Sequence, residues 1–172
     1  MNYEQKRYGA GKGKRCIIKD KASIDQRPEC INSKQRVGDW EIDTIVGKDN
    51  KGAIVTIAER TTAFVLIAKL NGKNVQELAE AVVKLMMPFK KLVLSITSDN
   101  GTEFAMHKYI AKKLGALIYF AHPYSSWERV LNENTNRLIR QYIPKKTNSK
   151  SINYLYINEI TTKLNRRSRK KN

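Results

Sequence analysis

The 172-residue chain is long enough for one domain with tails, and its 41% apolar content can supply a core. Its 33 Lys and Arg against 16 Asp and Glu leave a net charge of +17, a surplus that points to a polyanionic partner, either nucleic acid or an acidic membrane surface. No apolar run reaches the ~20 residues of a membrane span and no N-terminal apolar block reads as a secretory signal, while Cys16 and Cys30, with no C-x-x-C pair and no nearby His, exclude a disulfide scaffold and a zinc ribbon and suit a reducing cytoplasm.

The charge is concentrated at the ends. Residues 1–36 carry 10 basic and 4 acidic side chains and residues 144–172 carry 9 and 1, whereas 37–143 hold 14 and 11. The expected organisation is a basic, mostly extended arm over 1–36 and a globular domain over 37–172 that holds nearly all the periodic apolar pattern. The C-terminal L-N-R-R-S-R-K-K-N reads as a basic helix end or tail.

In chain order, W-E-I-D-T-I-V-G (40–47), G-A-I-V-T-I-A (52–58) and A-F-V-L-I-A-K-L (63–70) are strand-length runs separated by short turns, which predicts an antiparallel meander. Asn74 as N-cap, Glu77 three residues later, helical apolar spacing from Val75 to Met86 and Pro88 beyond the end predict a helix over 74–87. L-V-L-S-I-T (92–97) predicts a fourth strand running into the turn Ser98-Asp99-Asn100-Gly101. A helix over 103–114 closed by Gly115, a strand over 116–120, a helix from a Ser125/Glu128 capping box to about Ile143, and a last helix over 151–165 complete the chain. The order βββ-α-β-α-β-α-α predicts an α/β sandwich with a mixed five-stranded sheet.

Three acidic residues stand out. Asp43 interrupts an apolar strand, where Asp is disfavoured, although a buried hydrogen-bonded Asp would also account for it. Asp99 ends another strand in S-D-N-G, where turn chemistry alone would suffice. Glu133 lies mid-helix. On that helix Trp127, Leu131, Leu138 and Tyr142 fall within about 60°, and Arg129, Glu133, Asn136, Arg137 and Arg140 fall opposite within about 100°. The first face is expected to pack on the body. The second presents one carboxylate among guanidiniums and an amide.

These residues carry a resemblance. W-E-I-D in the first strand, T-S-D-N-G-T-E-F after the fourth, and H-P-Y-S-S-W-E-R…N-E-N-T-N before a basic helix are similar to the catalytic domain of DDE transposases and retroviral-type integrases. More closely, the chain from about Ser23 to about Lys171 resembles bacterial insertion-sequence transposases of the IS-thirty family, including the 33 residues between Asp99 and Glu133. The resemblance implies a ribonuclease-H-like fold, an acidic triad of Asp43, Asp99 and Glu133 that is both catalytic and metal-binding, and DNA contacts from Arg140, seven residues after the glutamate, with Arg137 facing the same way. Asn132, Asn134 and Asn136 around Glu133 are candidates for orienting carboxylates or meeting phosphate oxygens, and Asn136 joins the DNA-binding set.

Three converging carboxylates repel unless cations neutralise them, and hard oxygen ligands select Mg²⁺ or Mn²⁺. Two such ions, about 3.5–4 Å apart, are what in-line phosphoryl displacement uses. The implied activity is metal-dependent DNA strand cleavage and strand transfer on transposon ends and target DNA. A homo-oligomer, and a separate end-recognition domain or full-length transposase, are the expected partners, in the cytoplasm at the nucleoid and away from membranes. The sequence departs from the family in lacking a helix-turn-helix before Asp43, in Val130-Leu131 where a Gly-containing pair is usual, in Arg137 where Gly is common, and in Ser168 where Pro is expected. It therefore reads as truncated at both ends, which leaves open a catalytically idle DNA-binding remnant and, less favoured, a stand-alone ribonuclease-H-like nuclease. Surface or structural roles are expected for His107, Asp39, Glu41 and Glu103. His122 is a weaker candidate for the pocket wall.

Overall fold

Strand-forming runs rich in Val, Ile and Thr make a sheet whose two faces are both covered, and this sandwich fixes which side chains meet. The structure, a computed structural model, describes residues 18–47, 52–72, 74–145, 147 and 152–168. Elements in chain order are β1 (Ala22–Ser23), α1 (Glu29–Asn32), β2 (Asp39–Val46), β3 (Ala53–Glu59), β4 (Val65–Leu70), α2 (Val75–Met86), β5 (Ser95–Ser98), α3 (His107–Leu114), β6 (Leu117–Phe120), α4 (Val130–Tyr142) and α5 (Tyr154–Arg166). The sheet order is β1-β6-β5-β2-β3-β4. β2, β3 and β4 form the antiparallel meander, and β2–β5, β5–β6 and β6–β1 pair in parallel.

Period-two alternation divides β3 between two cores. Ala53, Val55 and Ile57 join Trp40, Ile42 and Ile96 beneath α2 and α3, while Ile54 and Ala58 join Ile139, Ile157 and Ile160 beneath α4 and α5. Asn74 caps α2, accepting from the N–H groups of Gln76 and Glu77 at 2.9 and 3.0 Å. Gly115 ends α3 with φ +70, the left-handed cap for which glycine carries no Cβ penalty.

Three expectations need correction. The sheet has a sixth strand: Ala22 and Ser23 pair with Tyr119 and Phe120, and Ile18, Ile24 and Ile31 are buried. The fold therefore starts well before residue 37, and the part of the arm over 18–36 packs on the body; residues 1–17, including Cys16, and the C-terminal Arg169, Lys170 and Lys171 lie outside the described residues. Ser125 makes no side-chain cap, because Glu128 accepts instead from the N–H of His122 at 2.8 Å; a 3-10 turn (Ser126–Arg129) precedes α4.

The third correction concerns the face on which α4 packs. Its buried residues are Asn132, Thr135 and Ile139, while Trp127 is 69% exposed and Leu131, Leu138 and Tyr142 are only partly covered. The helix is turned so that polar side chains lie against β2 and β3. Asn136 accepts from the Thr56 hydroxyl at 2.9 Å, and the backbone N–H of Asn132 donates to Glu41 at 2.9 Å.

Glu41 is buried and paired with the buried Arg60 guanidinium; burial pushes its carboxyl above the usual range. Removing one member of such a pair strands the other charge in the core. Glu41→Ala is expected to cost about 3–5 kcal/mol of stability in urea unfolding, because Arg60 loses its counter-charge and α4 loses the acceptor for its first turn.

Candidate functional site

The pairing of β2 with β5 sets Asp39 beside Ser95, Trp40 beside Ile96 and Glu41 beside Thr97, an offset of 56 residues. The same offset carried two residues on sets Asp43 beside Asp99, and alternation turns both toward α4. Neighbouring strands lie about 4.8 Å apart, so the two carboxylates cannot avoid each other. Residues 56 apart in sequence meet here because a parallel ladder has one register.

Asp43 is held by both its carboxylate oxygens and Asp99 by one. The Asp43 Oδ1 accepts from the N–H of Thr44 at 2.8 Å, and its Oδ2 accepts from the Asn136 amide at 2.8 Å. The Asp99 Oδ1 accepts from the N–H of Gly101 at 2.9 Å. A Cβ at Gly101 would come within 2.9 Å of that same oxygen and 2.7 Å of the Glu103 carboxylate, so any larger residue here has to displace one of these two side chains. Asn100 donates to the Ala121 carbonyl and accepts from Lys21, tying the turn to β6 and to the N-terminal segment. Each residue of D-N-G thus has a separate geometric task.

The Oδ2 atoms of both aspartates face Arg129, the residue just before α4. Its guanidinium lies 3.5 Å from Asp43 Oδ2 and 3.7 Å from Asp99 Oδ2 and donates to the Ile42 carbonyl at 3.3 Å. Arg129 enters the sequence reading only as one member of a basic helix face. Its place four residues before Glu133 was the available signal, and the turn in the chain ahead of α4 is what aims it inward.

Of the three expected acids, the structure brings two together. Glu133 is exposed on α4, and among the described residues no group of three His, Cys, Asp or Glu side chains stands close enough to hold a metal ion. One guanidinium offsets one of the two carboxylate charges. The Asn136 amide donates to Asp43. Arg137 is exposed and donates to the Asn134 side chain at 3.5 Å, and Arg140 donates to the carbonyls of Val46 and Pro144, each at 3.4 Å. Asn132 is buried with neither side-chain amide atom hydrogen-bonded.

The other candidates sort clearly. Asp39 is buried, with Arg36 at 2.9 Å and the Ser95 hydroxyl at 2.6 Å. Glu103 accepts from the Thr44 hydroxyl at 2.7 Å. His107 is buried edge-on against Phe120. His122 lines the same open hollow as Asp99, Gly101 and Arg129, its ring set between Glu128 at 2.7 Å and Asp25 at 2.9 Å, and these carboxylates raise its pKa.

Burial raises the Asp43 carboxyl above the usual range; the Arg129 guanidinium pulls it back, and Asp99 pushes it further up. A raised carboxylate destabilises the folded chain only when ionised. That cost is absent below the unfolded value of about 3.9 and complete above the folded one. Asp43→Asn removes it, and the network can reverse, with the Asn136 oxygen accepting from the new amide while its NH₂ donates to Thr56. The melting temperature of Asp43→Asn should therefore rise relative to the parent between pH 4 and pH 7, a comparison for calorimetry; a constant difference across that range would place the cost elsewhere.

Profiles of known protein families find no match to this chain. Among curated proteins it is 49% identical over 162 residues to the transposase for insertion sequence element IS4351 of Bacteroides fragilis, covering 94% of this chain and 49% of that protein. It is 35% identical over 148 residues to the transposase InsI for element IS30A of Escherichia coli K12, covering 86% of this chain and 38% of that protein. Among solved structures the catalytic core domain of BIV integrase superposes with a TM-score of 0.59 at 20% identity, over 78% of this chain and 88% of that one. The chain spans about half the length, or less, of the curated relatives it matches. It has the ribonuclease-H-like fold of integrase catalytic cores and is, over most of its length, a homologue of the bacterial insertion-sequence transposases, IS30-type elements among them.

Proposed function

We propose that the chain is a transposase catalytic core that cleaves DNA strands and transfers them to target DNA, with Asp43, Asp99 and Glu133 as its metal-holding acids. The observation that carries this reading is the register-matched pair Asp43 and Asp99, two acids aimed at one shared cation in a chain homologous to transposases.

The residues fit Mg²⁺ or Mn²⁺. Their donors are hard carboxylate oxygens, and the two Oδ2 atoms already share a positive group, the Arg129 guanidinium. When bound, two such ions supply charge neutralisation at the reacting phosphate and a deprotonated water or 3′-hydroxyl. The chain's own part is aim. Thr44 and Asn136 fix the Asp43 oxygens, Gly101 fixes Asp99, and Glu133 lies one turn before Asn136 as the third ligand. No covalent enzyme intermediate is needed, so one site serves both water and a DNA 3′-end as nucleophile.

Asn136, Arg137 and Arg140 are read as the DNA side of the site, and the net charge of +17 as its long-range attraction. No helix among the described residues is long and apolar enough to cross a membrane. Double-stranded transposon ends and target DNA in the cytoplasm, a homo-oligomer, and a separate end-recognition domain or full-length transposase are the partners in this reading.

In Mn²⁺, the chain should nick supercoiled plasmid and join pre-cleaved 3′-ends to it, and Asp99→Asn and Glu133→Gln should each abolish both activities. Nicking without joining would fit a stand-alone nuclease. An inert parent chain that still binds DNA would mark a catalytically idle remnant. Arg137→Ala should weaken DNA binding about equally across sequences and lower the slope of log K against log [salt] by about 0.9, as loss of one phosphate contact requires.

A further inference from the structure

Arg129 is an odd residue to find at this position. It lies where two acids converge, its side chain is only 12% exposed, and its Nε is buried without a hydrogen-bond partner. Charge-assisted N–H···O contacts ordinarily run about 2.7–2.9 Å, yet its two terminal nitrogens stand 3.5 and 3.7 Å from Asp43 and Asp99. The guanidinium spans both carboxylates without closing on either.

The segment that carries it is held in an unusual way. Tyr124 has φ +64 and is 91% exposed, Trp127 is 69% exposed and Val130 is 50% exposed, so the large side chains of this turn face solvent and do not anchor it. Its fastenings are polar. Glu128 binds His122, and Arg129 binds the two aspartates and the Ile42 carbonyl. Releasing Arg129 removes a hydrogen bond and two ion pairs that join this turn to β2 and to the end of β5.

We propose that Arg129 is a stand-in cation: its guanidinium holds Asp43 and Asp99 together and clasps the 124–130 turn to the site, and a divalent ion entering between the carboxylates displaces it and frees the turn. This rests on the reading of Asp43 and Asp99 as metal ligands. Cation binding and the clasp exclude each other, because both need the same Oδ2 atoms. Once displaced, a guanidinium at the mouth of the site is placed to take a DNA phosphate, which suits its planar fork of donors. Arg129 is thus a positioning residue whose partner changes from carboxylate to phosphate.

Titration calorimetry with Mn²⁺ on the chelator-stripped chain tests this, with Asp99→Asn as the control for the site. Arg129→Gln removes the competitor and should bind Mn²⁺ tighter by on the order of two- to fivefold, the range for a loosely held ion pair. Arg129→Lys, whose single ammonium cannot span both acids, should fall between. In the parent chain itself, Mn²⁺ should speed hydrogen exchange of the 124–130 amides, a readout that needs no variant to fold. Unchanged or weaker Mn²⁺ binding by Arg129→Gln, or slower exchange at 124–130, overturns the stand-in role while leaving the metal site intact. Mn²⁺ binding that Asp99→Asn does not reduce overturns the metal-site reading and this inference with it.

Discussion

Like charges forced side by side are the constraint from which the rest of this structure follows. The parallel register of β2 and β5 sets Asp43 beside Asp99, and period-two alternation turns Asp39, Glu41 and Asp43 to one side of β2. Each of these three acids has its own arginine. Asp39 meets Arg36 at 2.9 Å and the Ser95 hydroxyl besides; Glu41 has Arg60 and an α4 N–H; Asp43 has Arg129 at 3.5 Å, shared with Asp99. The pairing is loosest at the open end. Two carboxylates are neutralised for the fold, and the third is left under-neutralised where a ligand can reach it.

The same strand sets the path of α4. Asn132 meets Glu41, Asn136 meets Asp43 and Arg140 meets Val46, so helix and strand run side by side in the same direction. At 1.5 Å per helical residue, the four-residue step from Asn132 to Asn136 covers about 6 Å, close to the rise of about 6.6 Å from Glu41 to Asp43 on β2. A helix that must give an N–H to Glu41 and an amide to Asp43 has to bury Asn132 and Thr135 and turn Asn136 inward, leaving its leucines only partly covered. Polar satisfaction outweighs apolar area at this contact, because a buried unpaired carboxylate costs more than a half-exposed Leu returns.

That trade explains which features the sequence makes legible. Asp43 and Asp99 stand out because one breaks strand propensity and the other ends a strand, and both signals are local. The meander, α2 with its Asn74 cap and the Gly115 stop follow from periodicity and capping in the same way. The rotation of α4 does not, because an apolar arc through Leu131, Leu138 and Tyr142 gives no hint that acids on another strand will claim the opposite side. The two-residue β1 is too short to leave a periodic pattern, and only its pairing with β6 defines it. Ser125 and Glu128 have the spacing of a capping box, but His122, placed by the turn, competes for Glu128 and wins with two contacts.

On the proposed reading, the charge count at the site also separates a folded core from an assembled one. Two aspartates against one guanidinium leave a net −1, so a third carboxylate drawn in would raise the deficit to −2 in a half-buried setting. Glu133 in solvent is the cheaper arrangement. Exchange of the guanidinium for a divalent ion changes +1 to +2, and a second ion adds two more, after which a third carboxylate and a phosphate are attracted rather than repelled. The exchange also returns a free arginine to the mouth of the site at the moment a polyanion is to be bound. The fold need not hold three acids together by itself; it holds two with a weakly bound substitute and leaves the third to be recruited by charge.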